Sequence, residues 1–428
     1  MAEFAATVHQ NEYLPDGGTD VHAIVSVTCS GAGGVGSFDP RRAAEAGEII
    51  IVDTSGSMDV AGVQAAQYAA AAALDQIVDG VYFAVIAGDH EARLCYPTGS
   101  YVGMVQMSEQ TRLAAKYALQ ALYPGGGTAM GGWLLAANQL FNTVPSLTKR
   151  HVILLTDGQN QHETPAELDR AIEAVRGRFQ ADCRGLGAAW EVGEVRRIAE
   201  ALMGTVDLIR SWDGLPAEFE AMMRSSMARG VSDAQLRVWA PQGAQVMFVR
   251  QVAPTLEDLT HRRLEVNALT GGYDTGAWGD ETRDYHVAVR LPAKAVGTEQ
   301  LAARVQLAVG EEVQAQGLVK AKWSADHLLT ATISPEVAHY TGQTELASAI
   351  QDGLRAKAIG DDATATSKLG RAVQLAAETG DEAATDRLAR VVDIDDAATG
   401  KVRLRRHVDR LDEMELDTAS TKTTRVRR

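Results

Sequence analysis

Between Glu48 and Asp59 the chain reads EIIIVDTSGSMD. Ile49, Ile50, Ile51 and Val52 make an unbroken apolar run, and a run without polar alternation predicts a strand buried on both faces. Further strands are expected at 82–87, 150–156, 181–187 and 205–209, with another strand or hairpin near 93–105. Stretches with helical spacing separate them, at 60–78, 109–121, 130–141, 165–178, 192–202 and 215–226. Strand and helix in alternation predict an α/β, Rossmann-like architecture, a mainly parallel sheet with helices on both faces. Open sheets of that kind hold ligands outside the carboxyl ends of their strands, so the residues at those ends carry the functional information.

The first strand runs into Asp53, Ser55 and Ser57, with Gly56 between the serines to let the backbone turn tightly. A second strand, HVILLTDGQN, finishes at Asp157, and YPGGGTAMGG sets Thr128 in a glycine-rich loop just before a helix. Two carboxylates and three hydroxyls form a hard-oxygen set, suited to Mg2+, Mn2+ or Ca2+ and poor for zinc or copper. Mg2+ takes six oxygens at about 2.1 Å and readily keeps waters among them. Two carboxylates nearly neutralise a divalent ion. Hydroxyls as its direct ligands leave it electrophilic, with one position open for a carboxylate from elsewhere. Met58, Gly127, Gln159 and His162 adjoin these residues and are expected to form the rim that meets a partner. Helix capping is the ordinary use of Asp, Ser and Thr at such turns. Ser57 alone fits that use, but complementary oxygens on three loops favour a metal.

Asp-x-Ser-x-Ser after the first strand, Thr128 in a glycine loop and Asp157 in LLTDG, in that order, resemble the metal-ion-dependent adhesion site (MIDAS) of von Willebrand factor A (VWA) domains. The resemblance covers about residues 49–229, under half the chain. It implies a six-stranded sheet with helices on both sides. It also implies direct metal contacts from Ser55, Ser57 and Thr128, mostly water-mediated contacts from Asp53 and Asp157, and capture of a Glu or Asp from a protein partner. Bacterial cytoplasmic proteins of this kind, actinobacterial ones among them, end in a helical segment. The chain is therefore expected to be a metal-dependent protein-binding module, not an enzyme. The alternatives are a metal-dependent hydrolase and a scaffold whose tail is read after phosphorylation.

The rest of the chain divides by periodicity. Residues 1–30 carry two β-branched segments around the turn PDGG, and 31–47 form a loose linker before the VWA-like region at 48–230. Residues 231–338 alternate with period two, as in Leu236 and Val238 or Tyr285, Val287 and Val289, which predicts an antiparallel β-sandwich. The N-terminal strands are expected to join that sandwich, with the VWA-like region inserted between its pieces. Residues 339–415 return to helical spacing, with Leu346, Ile350 and Leu354 four apart. Residues 416–428 lack an apolar face and are expected to be a disordered tail, with Thr418, Thr421, Thr423 and Thr424 as phosphorylation candidates.

Several other patterns fail on context. GAGGVG at 31–36 matches a dinucleotide fingerprint, but too few residues separate it from the next strand for a crossover helix, and it reads as a linker. No G-x-S-x-G elbow surrounds Ser55 or Ser57, and no base beside a metal-bound water is evident. Trp239, Trp278 and Trp323 read as core or turn residues. A net charge of −15 argues against nucleic-acid and anionic-membrane partners. No apolar run approaches the ~20 residues that span a bilayer, and the first residues lack a secretory pattern. Three cysteines, Cys29, Cys95 and Cys183, fit reduced thiols, so the expected location is the cytoplasm.

Overall fold

A computed structural model of the protein describes residues 2–32, 43–100, 102–232 and 234–425. The chain forms two compact units. One comprises Ala32–Asp233 with Gly276–Gly279; the other comprises Met1–Gly31, Ala234–Thr275 and Asp280–Arg428. The chain opens with β1 (Glu3–Gln10), β2 (Tyr13–Leu14) and β3 (Asp20–Ser30), all of which belong to the second unit.

The α/β unit follows. Its elements are β4 (Ala46–Asp53), α1 (Asp59–Gln76), β5 (Tyr82–Gly88), β6 (Ala92–Tyr96), β7 (Val105–Gln106), α2 (Glu109–Leu119), α3 (Met130–Asn142), β8 (Lys149–Thr156), α4 (Pro165–Val175), β9 (Gln180–Leu186), α5 (Val192–Ala201), β10 (Val206–Ile209) and α6 (Leu215–Ala228). The strand order is β10-β9-β8-β4-β5-β6, parallel from β10 to β5, and β6 and β7 both pair antiparallel with β5. The sheet thus has seven strands where six were expected. The strand or hairpin expected near 93–105 is two short strands that each pair with β5, because Pro97 ends β6 by removing a ladder donor. Every residue of β4 is buried. Ile50 and Val52 pack with Ala66, Ala70 and Ala73 of α1 and with Phe219 and Met223 of α6. The alanine face of α1 lets that helix lie close to the sheet.

At the amino ends of the strands, a charged network replaces apolar packing. His151 of β8 contacts Glu48 Oε2 through Nδ1 at 2.7 Å and Asp182 Oδ2 through Nε2 at 2.9 Å. Ser226 of α6 donates to Glu48 at 2.7 Å, Thr205 Oγ1 donates to Asp182 at 2.7 Å, and Arg229 lies 3.5 Å from Asp182. The Lys149 ammonium donates to the Ser226 carbonyl, and burial lowers its pKa to about 8. An imidazole with a carboxylate on each nitrogen carries both protons. Burial alone would discharge His151, but Glu48 and Asp182 outweigh it and raise its pKa. Asp182 is lowered well below the usual carboxylate range; burial opposes this, and Arg229 and His151 overcome it.

The second unit continues with β11 (Ala234–Trp239), β12 (Gln245–Ala253), β13 (Glu257–Asp258), β14 (Leu264–Asn267), β15 (Thr270–Asp274), β16 (Glu281–Arg290), β17 (Glu299–Val309) and β18 (Glu312–Trp323). It ends with α7 (His327–Ala331), α8 (Pro335–Ala358), α9 (Asp362–Thr379), α10 (Glu382–Val391), β19 (Val392–Asp396), β20 (Lys401–Leu404) and α11 (Arg410–Ala419). Two sheets, ordered β1-β3-β16-β12-β13 and β14-β15-β11-β17-β18-β2, make the sandwich, with Gly317 of β18 against Val8 and Val25 of the facing sheet. The N-terminal strands are full members, since β3 pairs with both β1 and β16 and β2 pairs with β18. Leu346, Ile350, Leu369, Val373, Leu388 and Leu416 form the core of the helical part.

Three expectations change here. The helical segment contains the hairpin β19–β20, in which Val392 and Ile394 face Leu404 and Val402 across the turn. The segment expected to be a disordered tail carries the end of α11, in which Thr418 is fully buried and donates to the Met414 carbonyl at 2.9 Å. Beyond it, Thr421–Arg425 bond to the end of β12 and the residues that follow it, to β16 and to α8. The linker expected at 31–47 lies mostly outside the described residues, as does most of GAGGVG, and β4 already begins at Ala46.

The buried network sets a pH dependence. A raised imidazole pKa contributes stability that is complete below the unfolded value and lost as pH rises through the folded one. His151→Gln is expected to cost about 3–5 kcal/mol near pH 6, as for a broken buried ion pair, and the deficit should narrow at alkaline pH. Denaturant melts of both proteins across pH check this, and a deficit independent of pH would contradict it.

Candidate metal centre

Main-chain hydrogen bonds sew together the loops at the carboxyl ends of β4, β5 and β8. Thr54 N donates to Gly88 O at 2.7 Å, Gly125 N to Thr54 O at 2.8 Å, and Gly56 N to Gly126 O at 3.0 Å. Ala129 N donates to Asp89 O at 3.1 Å, while Gln161 N and His162 N donate to Thr128 O at 3.1 and 3.0 Å. The 125–129 loop is therefore held from both sides, and Thr128 has no freedom to swing away from β4.

These bonds bring all five predicted oxygen-bearing side chains into one cluster. Ser55 Oγ lies 3.0 Å from Ser57 Oγ, and Ser57 Oγ donates to Asp157 Oδ1 at 2.6 Å. Asp53 accepts from Ser55 N at 2.7 Å and from Thr156 Oγ1 at 2.6 Å. A side-chain carbon added to Gly158 would sit 3.1 Å from Ser57 Oγ, 3.2 Å from Thr128 Oγ1 and 3.9 Å from Ser55 Oγ. One point thus faces three hydroxyls, with the two carboxylates attached to them. Asp53, Ser55, Thr128 and Asp157 are buried while Ser57 is exposed, so the cluster opens to solvent on the Ser57 side.

The electrostatics favour a cation. Burial raises the Asp53 carboxyl to about 6 against the bonds from Ser55 and Thr156, with Asp157 adding repulsion. Burial raises Asp157 too, with repulsion from Asp59. Two acids that are costly to ionise beside three inward hydroxyls gain from a positive charge. Among the described residues no group of three or more His, Cys, Asp or Glu is placed to hold a metal. The donor set is therefore mixed hydroxyl and carboxylate, which fits a hard divalent ion.

Of the residues expected at the rim, Met58 lies elsewhere. Met58 is fully buried in the core with Val63 and Ala66 and cannot meet a partner, because the turn into α1 directs it inward. Gln159 is half-buried and donates to Glu191 at 2.9 Å. His162 is exposed, and its ring lies on Gly127, where an added carbon would be 1.8 Å from Cε1. Gly126, at φ +75°, similarly meets the ring of exposed His90, and the two ring centroids are 6.1 Å apart. Sequence reading passed over Thr156, which bonds Asp53, and Asp89, which is buried and pairs with Arg93 at 2.6 Å. Both stand at strand ends, which is the signal that found Asp53, Ser55, Ser57 and Asp157.

The fold and site define an open α/β domain with an oxygen-lined cluster at the carboxyl ends of its strands. Residues 48–208 match the von Willebrand factor type A domain model, and 374–420 match the von Willebrand factor type A C-terminal domain. A solved von Willebrand factor type A protein from Catenulispora acidiphila is 46% identical, with TM-score 0.92 over 99% of this chain and 98% of that one. The chain belongs to the von Willebrand factor type A family. The structure of VWA2 from Sulfolobus acidocaldarius, an ArnB paralog, shares the fold at 14% identity, with TM-score 0.61 over 98% of each chain. An uncharacterized protein of Synechocystis is 28% identical over 220 residues, and the match spans 49% of each chain, about half the length of that relative.

The space at Gly158 supplies a test. Gly158→Ala puts a methyl among the three hydroxyls at contacts of 3.1 and 3.2 Å, which small shifts can absorb. The variant is expected to melt within about 1–3 kcal/mol of wild type, as for mild overpacking, and to lose detectable Mn2+ binding by calorimetry. Undiminished Mn2+ binding would show that the three hydroxyls do not share one ion.

Proposed function

We propose that this protein is a metal-dependent protein-binding module. Ser55, Ser57 and Thr128 would hold one Mg2+, Mn2+ or Ca2+ directly, and Asp53 and Asp157 would hold it mainly through water. The observation that carries this reading is the point above Gly158 that three hydroxyls face at 3.1–3.9 Å. When bound, the ion would supply an electrophilic position for a Glu or Asp of a protein partner. The chain's own residues do the remaining work. Neutral hydroxyls as direct ligands leave the ion electrophilic, and Thr156 and the Ser55 amide hold Asp53 aimed at the cluster. The rim meeting the partner is Gly127, Gln159, His162 and, in addition, His90.

Family membership supports an interaction role. The free cysteines, two of them buried, and the lack of a membrane-crossing helix among the described residues fit a cytoplasmic setting.

Metal at about 100 times its dissociation constant is expected to add about 2.7 kcal/mol of stability by mass action. Ser55→Ala and Asp53→Ala should abolish that gain and, in extract of the source organism, the chelator-sensitive capture of a protein. Capture equally strong with Asp53→Ala and with chelator would defeat the proposal.

A further inference from the structure

We propose that a groove formed by β12, β16 and α8 is a recognition site for an extended, arginine-bearing peptide. The chain's own C-terminal segment is its resident and displaceable occupant. The groove lies in the sandwich-and-helix unit and uses none of the metal-site residues.

After α11 the chain lies along the end of β12. Thr255 and Lys422 form an antiparallel bridge, Leu256 N donates to Thr421 O at 2.7 Å, and Thr423 N donates to Pro254 O at 3.1 Å. Thr423 Oγ1 donates to Val252 O at 2.6 Å. From α8, Gln343 Nε2 donates to Thr424 O at 3.1 Å and to its hydroxyl at 2.8 Å, and His339 Nε2 donates to the same carbonyl at 2.7 Å. Arg425 Nε reaches Asp284 Oδ2 at 3.3 Å, and its guanidinium also donates to Thr282 O. This is strand addition to a sheet end, with one side chain read by a specific pocket.

The groove is built more fully than its occupant uses. Asp284 and Gln343 are each only 4% exposed, yet Asp284 Oδ1 and Gln343 Oε1 have no hydrogen-bond partner among the described residues. Asp284 Oδ2 takes the Tyr340 hydroxyl at 2.5 Å and the single long contact from Arg425. A buried carboxylate with a spare acceptor oxygen suits a guanidinium bound through two nitrogens. The floor is an apolar cluster of Ile24, Val252, Ala253 and Tyr340. The occupant brings no large apolar anchor, and Lys422, Thr424 and Arg425 are exposed. A packed groove holding a polar strand at its surface is a site whose ligand can exchange.

The test uses a labelled peptide with the sequence of residues 421–428, TKTTRVRR, and fluorescence anisotropy. Protein ending at Ser420 is expected to bind it saturably, and the full chain, already occupied, at least about tenfold more weakly. Replacing the peptide arginine equivalent to Arg425 with Ala, or Asp284→Asn in the shortened protein, should each weaken binding about tenfold, as expected for one charge-assisted pair. No saturable binding to the folded shortened protein, or equal binding to the full chain, overturns the proposal. If the shortened protein does not fold, hydrogen exchange on the full chain decides. The Leu256 and Thr423 amides should exchange at least about tenfold faster than the β12 amides paired with β16, and Arg425→Ala should speed them further. Equal protection in both proteins would make the segment a fixed part of the fold and overturn the proposal.

Discussion

The candidate site depends first on main-chain hydrogen bonding between loops that are far apart in sequence. Thr54 both donates to Gly88 and accepts from Gly125, Gly56 donates to Gly126, and Thr128 accepts from residues 161 and 162. Because these are backbone bonds, they fix the positions of Ser55, Ser57, Thr128 and Asp157 before any side chain chooses a rotamer. Two consequences follow for the sequence. The His90 and His162 rings lie against the α-carbons of Gly126 and Gly127, Gly126 also sits at φ +75°, and the hydroxyls face the open side of Gly158. The glycines of this region serve close approach as much as turning.

The two ends of the parallel sheet then divide the work. At the carboxyl ends, burial leaves Asp53 and Asp157 reluctant to ionise, a cost that a bound cation can offset. At the amino ends, Glu48, His151, Asp182 and Arg229 offset one another, and Ser226 and Lys149 tie the C-terminal turn of α6 to β4 and β8. The amino-end acids pair with His151 and Arg229, while Asp53 and Asp157 accept from hydroxyls and a main-chain amide. That contrast separates a structural network from a ligand site made of similar residue types.

Much of this was legible in the chain itself. Strands buried on both faces write themselves as unbroken apolar runs, so β4, β5 and β8 stood out, and with them the polar residues at their ends. What escaped depended on tertiary context. Met58 sits where a strand becomes a helix, and no periodicity there says which way a side chain points. The β19–β20 hairpin was concealed by helical spacing on both sides, although Val392, Ile394, Val402 and Leu404 alternate about its turn. The C-terminal segment has no apolar face because polar and main-chain bonds to β12 and α8 hold it, and composition does not register such bonds. Thr156 and Asp89 were readable by the strand-end criterion but carry no part of the resembled motif.

The central claim is that neutral hydroxyl oxygens hold a divalent ion with a position left open. A crystal structure of the protein soaked in Mn2+, with anomalous scattering measured at the manganese edge, tests it most directly. The account predicts an anomalous peak within coordinating distance of Ser55 Oγ, Ser57 Oγ and Thr128 Oγ1, with water or a foreign carboxylate completing the shell. A fully loaded crystal with no peak there, or a peak ligated directly by both Asp53 and Asp157 with no exchangeable position, would contradict it.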